Sequence, residues 1–171
     1  EGMIVSNPVN IKYLTNIESE GTLLITRKEN IFLTYTMFLE DVNRTLTIDD
    51  DIIAADMRDI SSEEAQNFFV FCENIGFEES YVTYDQYKRL KQRYRINNMV
   101  ETEGIIEKQR MIKEEEEIEN IKKACEITDK CFEHLLTYIK EGMTEKQIAL
   151  EIEMFFKTNG AEGNSFEPIV A

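Results

Sequence analysis

The sequence has one histidine, three cysteines and no long apolar run, and these shortages narrow the classes of function open to it. No apolar stretch is long enough to span a bilayer. The start lacks the basic region, apolar stretch and small-residue cleavage site of a signal peptide, so neither a membrane span nor a leader is expected. Cys72, Cys125 and Cys131 are an odd set on predicted helices, spaced neither for zinc nor for a secreted disulfide framework. Reduced thiols in a cytoplasmic protein fit them best. There is no glycine-rich phosphate loop and no nucleophile elbow. Positive charge is also scarce: 19 lysines and arginines stand against 34 aspartates and glutamates, a formal charge of −15. That field repels phosphate backbones and anionic membrane surfaces, which argues against nucleic acid and membrane as partners.

What is present is a globular composition, 171 residues with 42% hydrophobic side chains, enough for one ordinary domain or a small domain plus a piece of another. Met3–Ser6 reads as a strand so close to the start that a preceding piece is expected. Asn7-Pro8-Val9-Asn10 reads as a turn, with Ile11, Tyr13 and Leu14 in a short helical or extended segment. Residues 22–26 and 31–34 form a predicted antiparallel strand pair across Arg27–Asn30. A short helix at 37–43, an acidic turn at Asp49-Asp50 and a strand at 51–55 follow. Ser61 with Glu64 makes a capping box, and Ala65, Phe68, Phe69, Cys72 and Ile75 continue one helical face up to Gly76. Residues 79–82 read as a strand, Thr83 with Gln86 as a second capped helix carrying Tyr87, Leu90 and Tyr94, and 98–101 as a last strand. Alternating strands and helices imply a layered α/β domain ending near Glu103-Gly104.

The last third changes character. Ile118, Ile121, Cys125, Thr128, Phe132, Leu135 and Ile139 alternate spacings of three and four, the inward stripe of a long helix. Gly142 suits a left-handed stop. Thr144 with Gln147 caps a second helix whose apolar face is Ile148, Ile152, Phe155 and Phe156, closed by Asn159-Gly160. Ile169-Val170-Ala171 reads as a strand.

These joints carry a resemblance. The Arg110-Met111-Ile112-Lys113 entry, Glu117 at the head of the long helix, Gly142-Met143-Thr144-Glu145, and Ser165-Phe166 before Ile169-Val170-Ala171 resemble the start of the catalytic domain of the pita-bread metallopeptidases, the Xaa-Pro aminopeptidases and prolidases. Ser6-Asn7-Pro8, the run Asn10 to Thr15, Gly21 and the strand pair up to Thr34 resemble the N-terminal domain that precedes it in creatinases and Xaa-Pro peptidases. Two departures stand out. Asn16 and Ile17 replace a usual glycine and aromatic, and Tyr35, Met37 and Phe38 replace a frequent Asp, Arg and Tyr. In such proteins this segment can lie near the pocket of the dimer partner, so the resemblance implies that Tyr35 and Met37 are proximal to substrate across a dimer. The plainer expectation is that Tyr35, Met37 and Phe38 are core at a strand end.

The expectation is therefore a layered α/β/α N-terminal domain with a mixed sheet at 1–103, a linker at 104–113, and two helices and a strand of a pita-bread α+β domain at 114–171, truncated before its chemistry. The resemblance implies a cytoplasmic Xaa-Pro aminopeptidase or prolidase, acting on peptides as a homodimer with two divalent ions (Mn, Co or Zn) in the parent. It assigns no catalytic residue and no metal ligand to this chain, because the family's two Asp, one His and two Glu ligands lie beyond its last residue. A metal-free peptide- or histone-binding module and a creatinase-type amidinohydrolase are the alternatives. His134, two residues from Phe132, reads as a solvated or half-buried surface histidine. The run Glu114–Glu117 reads as a solvated helix start. Lys88, Arg89, Lys91, Arg93 and Arg95 read as intramolecular partners for surplus carboxylates.

Overall fold

The computed structural model describes residues 1–47 and 51–171, so the turn expected at Asp49-Asp50 lies outside the described residues. The chain divides into two units, Glu1–Met111 and Ile112–Ala171.

The first unit runs β1 (Gly2–Val5), α1 (Pro8–Thr15), β2 (Gly21–Thr26), β3 (Asn30–Thr34), α2 (Thr36–Thr45), β4 (Ile52–Asp56), α3 (Ser62–Phe68), β5 (Ile75–Phe77), α4 (Tyr84–Arg93), β6 (Met99–Glu101) and α5 (Ile105–Met111). Its strands lie in the order β4-β3-β2-β1-β5-β6. β2 is antiparallel to β1 and β3, and the outer pairings are parallel. Successive side chains of a strand point to opposite faces, and both faces are apolar here. Ile4, Leu24 and Leu33 meet Ala65, Phe69 and Tyr94 on one side. Val5, Leu23 and Phe32 meet Ile11, Val42 and Ile106 on the other. The result is the expected three-layered α/β/α arrangement with a mixed sheet.

Local chemistry explains where the expected elements shifted. Asn7-Pro8 opens α1 instead of forming a free turn. Asn7 Oδ1 accepts from Val9 N–H at 3.0 Å, and proline at the first helical position has no N–H to leave unpaired. Asn16 ends α1 at φ +57, a left-handed position that asparagine tolerates nearly as glycine does, and Ile17 is buried beyond it. The helix starting at Ser61 stops at Phe68, and Ile75 belongs to β5, whose backbone is paired on both edges. A three-residue apolar strand carries too little pattern to separate from a helical face. The strand expected at 79–82 is a turn, in which Tyr81 and Val82 both donate to Glu78 O. The expected linker at 104–113 contains α5, whose Ile106 is buried against β-sheet residues of the first unit.

The second unit consists of α6 (Glu115–Tyr138) and α7 (Glu145–Thr158). Glu117 Oε2 accepts Glu114 N–H at 2.9 Å, Thr144 with Gln147 forms a reciprocal capping box, and Gly142 and Gly160 sit at φ +91 and +94. The buried flank of α6 is rotated from the expected stripe. Cys131 is buried and Ile127, His134, Leu135 and Tyr138 are half-buried. Ile121, Cys125, Thr128, Phe132 and Ile139 are exposed. α7 covers the side on which His134 stacks against Phe155, centroids 5.0 Å apart. The strand expected at Ile169–Ala171 has no ladder partner among the described residues and continues without regular structure.

Candidate functional site

Because β2 alone runs against the others, the carboxyl ends of β1, β3, β4, β5 and β6 share one edge of the sheet. In open α/β sheets that is the edge where ligands bind. Two polar constellations stand along it.

The first lies where β3 and β4 end side by side. The carboxylate of Asp56, 5% exposed, receives Arg58 N–H at 2.8 Å, Arg58 Nε at 3.2 Å and Arg58 Nη2 at 3.1 Å. Thr36 Oγ1 donates to Asp56 Oδ2, and Arg58 Nη2 donates to Thr36 Oγ1. The hydrogen bonds from Arg58, then that from Thr36, hold the Asp56 carboxyl far below the usual carboxylate range, and Asp56 in turn raises Arg58. This clamp fixes the first residue of α2, and so the turn that presents Tyr35 and Met37. Tyr35 is 41% exposed and Met37 77%, while Phe38 is half-buried. The expectation that Tyr35 and Met37 are core therefore fails, because the strand has ended and the helix turns them outward. Tyr35 lines a groove of about 310 Å³ with Ser6, Glu20, Met57, Tyr81 and Arg89.

The second constellation lies beyond β1 and β5. Glu78, 4% exposed, accepts Ser6 N–H at 2.6 Å and Asn7 N–H at 2.8 Å on Oε2, and Asn10 Nδ2 at 2.7 Å on Oε1. Asn10 is fully buried. Its Nδ2 also donates to Glu107 Oε1 at 2.6 Å, and its Oδ1 accepts from Arg110 Nη1 at 3.0 Å. The hydrogen bond from Asn10, foremost among several causes, lowers the pKa of Glu107. The network joins α1, the end of β5 and α5. Sequence reasoning missed Glu78 and Glu107, because their partners lie 68 to 97 positions away and no local pattern marks them.

Elsewhere the candidate chemistry is thin. Among the described residues no group of three His, Cys, Asp or Glu side chains converges as a metal site would require. His134 is half-buried, with Nε2 2.7 Å from Glu151 Oε1. Cys131 lies on the same helix, but burial, reinforced by the Glu151 charge, pushes its thiol upward and away from a reactive thiolate. Of the α4 cations, Arg89 pairs with Asp85 at 2.8 Å. Lys88 lies over Tyr84 and Lys91 over Tyr87, and Arg93 donates to Met57 O. These three meet rings and a carbonyl where carboxylates were expected. No described helix is long and apolar enough to cross a membrane.

Comparison with known proteins follows this division. The creatinase/prolidase N-terminal domain profile matches residues 1–112, and that of metallopeptidase family M24 matches residues 119–171. An uncharacterized peptidase of Bacillus subtilis is 28% identical over all of this chain and 48% of its own length. An Xaa-Pro dipeptidase of Pyrococcus horikoshii is 29% identical over 99% of this chain and 46% of its own. The structure of an Xaa-Pro dipeptidase from Bacillus anthracis superposes with a TM-score of 0.83 at 28% identity, over 96% of this chain and 46% of that one. The chain thus spans about half the length of these relatives.

Proposed function

The chain belongs to the creatinase/prolidase N-terminal domain family, and from that premise we propose that it is the first half of a cytoplasmic Xaa-Pro dipeptidase or aminopeptidase that acts as a homodimer. In the parent, two divalent ions (Mn, Co or Zn) would activate the water that cleaves the bond before proline. No side chain described here is assigned to them. The role of residues 1–111 is assembly and pocket shaping, with Tyr35 and Met37 reaching toward the substrate pocket of the other subunit. The observation that carries this reading is the exposed Tyr35–Met37 turn, held at the carboxyl edge by Asp56, Thr36 and Arg58. A large apolar pair in water, on a turn whose backbone is fixed, is suited to contact something outside its own domain. The free thiols of Cys72, Cys125 and Cys131 support a reducing compartment.

The test has two arms. This chain alone, with manganese or cobalt, should give no turnover of an Xaa-Pro dipeptide. In the longer parent, Tyr35→Ala and Met37→Ala should raise KM severalfold without lowering the melting temperature. Turnover by this chain, or unchanged kinetics in both variants, would overturn the corresponding part of the reading.

A further inference from the structure

Asn10, in the first turn of α1, is wholly inaccessible to solvent. An asparagine side chain offers two N–H groups and one carbonyl oxygen, and both its nitrogen and its oxygen are engaged here by charged groups. Nδ2 donates to Glu78 Oε1 at 2.7 Å and to Glu107 Oε1 at 2.6 Å, and Oδ1 accepts from Arg110 Nη1 at 3.0 Å. Glu78 stands just past β5, while Glu107 and Arg110 stand on α5, one turn apart. The bend after β5 takes a second hold on the approach to α5. Glu79 Oε2 accepts Thr102 N–H at 3.0 Å, and Thr102 Oγ1 donates to Phe77 O at 2.8 Å.

These bonds matter because α5 has little else to hold it. A helix of seven residues does not sustain itself in water. Ile106 is its single buried residue, while Ile105 and Met111 are more than half exposed. Arg110 lies one turn beyond Ile106, so the apolar anchor and the polar one share a face. An acid in place of Asn10 would offer no donor and would set a third carboxylate between two others. An apolar residue would leave both acids and the guanidinium without this partner. α5 ends at Met111, where the first unit ends, and the chain passes on at Ile112. Docking α5 therefore fixes where the chain leaves the first unit.

We infer that Asn10 is a positioning residue for the peptidase reaction: by docking α5 it sets how the first unit is presented to the rest of the parent, and so the substrate pocket that this unit shapes. The inference rests on the peptidase reading proposed above. It gives Asn10 and its partners no contact with reacting atoms, so their loss should weaken substrate binding and spare the chemical step.

Two variants test this. Asn10→Asp keeps the shape and removes both donors. Arg110→Met removes the guanidinium and keeps an apolar stem, and it decides alone if Asn10→Asp does not fold. In this chain, hydrogen exchange should show the amides of residues 108–111 losing protection in both variants while those of β2 keep theirs. In the parent, KM for an Xaa-Pro dipeptide should rise severalfold with kcat unchanged, more for Asn10→Asp than for Arg110→Met. Phe69→Leu, in the core on the opposite face of the sheet, should lower the melting temperature and leave KM as it was. Full protection of α5 in the variants overturns the docking role. An α5 that loosens without a change in KM, or a KM that rises equally in Phe69→Leu, overturns the positioning role and leaves the peptidase reading standing. A parent that turns over no Xaa-Pro dipeptide overturns that reading, and the positioning role with it, whatever the exchange shows.

Discussion

In residues 1–111 the apolar stripes meet a second layer; in residues 112–171 they largely do not. Phe32, Ile4, Leu23 and Leu33 in the first unit are essentially inaccessible. Among the described residues of the second, Cys131 alone is fully buried, while Phe132, Leu136, Leu150 and Met154 are more than half exposed. The periodicities in the sequence are of similar quality in both. An amphipathic stripe states which face of a helix is apolar, and whether that face is buried depends on an opposing surface that the helix does not supply. The six-stranded sheet supplies two such surfaces in the first unit. In the second, α7 covers one flank of α6.

The sharpest way to break this contrast is a matched pair of truncations. Phe32→Ala should cost about 3–5 kcal/mol, the range for emptying a packed aromatic site. Phe132→Ala should stay within about 0.5 kcal/mol, as an exposed substitution does. Chemical denaturation measures both, and a large loss at Phe132 would mean that its face is covered in solution. Next in size is Glu78→Gln, which turns an acceptor of three N–H groups into an amide that must aim a donor at one of them. About 2 kcal/mol should be lost, because an unpaired buried donor is costly. A neutral result would show the network of Asn10, Glu78 and Glu107 to be slack.

How much of this was legible in advance follows the length scale of each interaction. The capping boxes at Ser61, Thr83 and Thr144 are complete within four residues of sequence and form as read. The pairing of β2 with β3 needs only a hairpin and also forms. The Glu78 network and the Asp56 clamp join residues brought together by the sheet, and nothing local announces them. The α6 stripe was legible as helix, but its buried side was chosen by the position of α7. Tyr35 and Met37 looked like core because they follow a buried strand, and the immediate start of α2 reverses that.

Within the second unit, two smaller changes separate local helix chemistry from packing. Gly142→Val should lose roughly 1–2 kcal/mol, since its φ of +91 is strained for any residue with a Cβ. Thr144→Ala should lose about 1 kcal/mol and Thr144→Ser much less, because serine keeps the oxygen that accepts Gln147 N–H. If all three are harmless, the register of α6, turn and α7 is wrong.

The smallest effect expected is that of pH on the first unit. The folded pKa of Asp56 lies below its unfolded value of about 3.9. Its contribution to stability is therefore complete above about pH 4 and is lost as pH falls through the folded value. Between pH 5 and pH 2 the denaturation midpoint of the parent should fall more steeply than that of Asp56→Asn. Parallel curves would remove Asp56 from the account of the clamp.

Native-state hydrogen exchange tests the central contrast most directly, amide by amide in one sample held at a concentration where the chain is monomeric. The interior amides of β1, β2 and β3 should exchange only through global unfolding of the first unit, while those of α6 and α7 exchange through openings of much lower free energy. Protection in α6 equal to that in β2 would contradict the claim that the first unit is fully packed and the second is not.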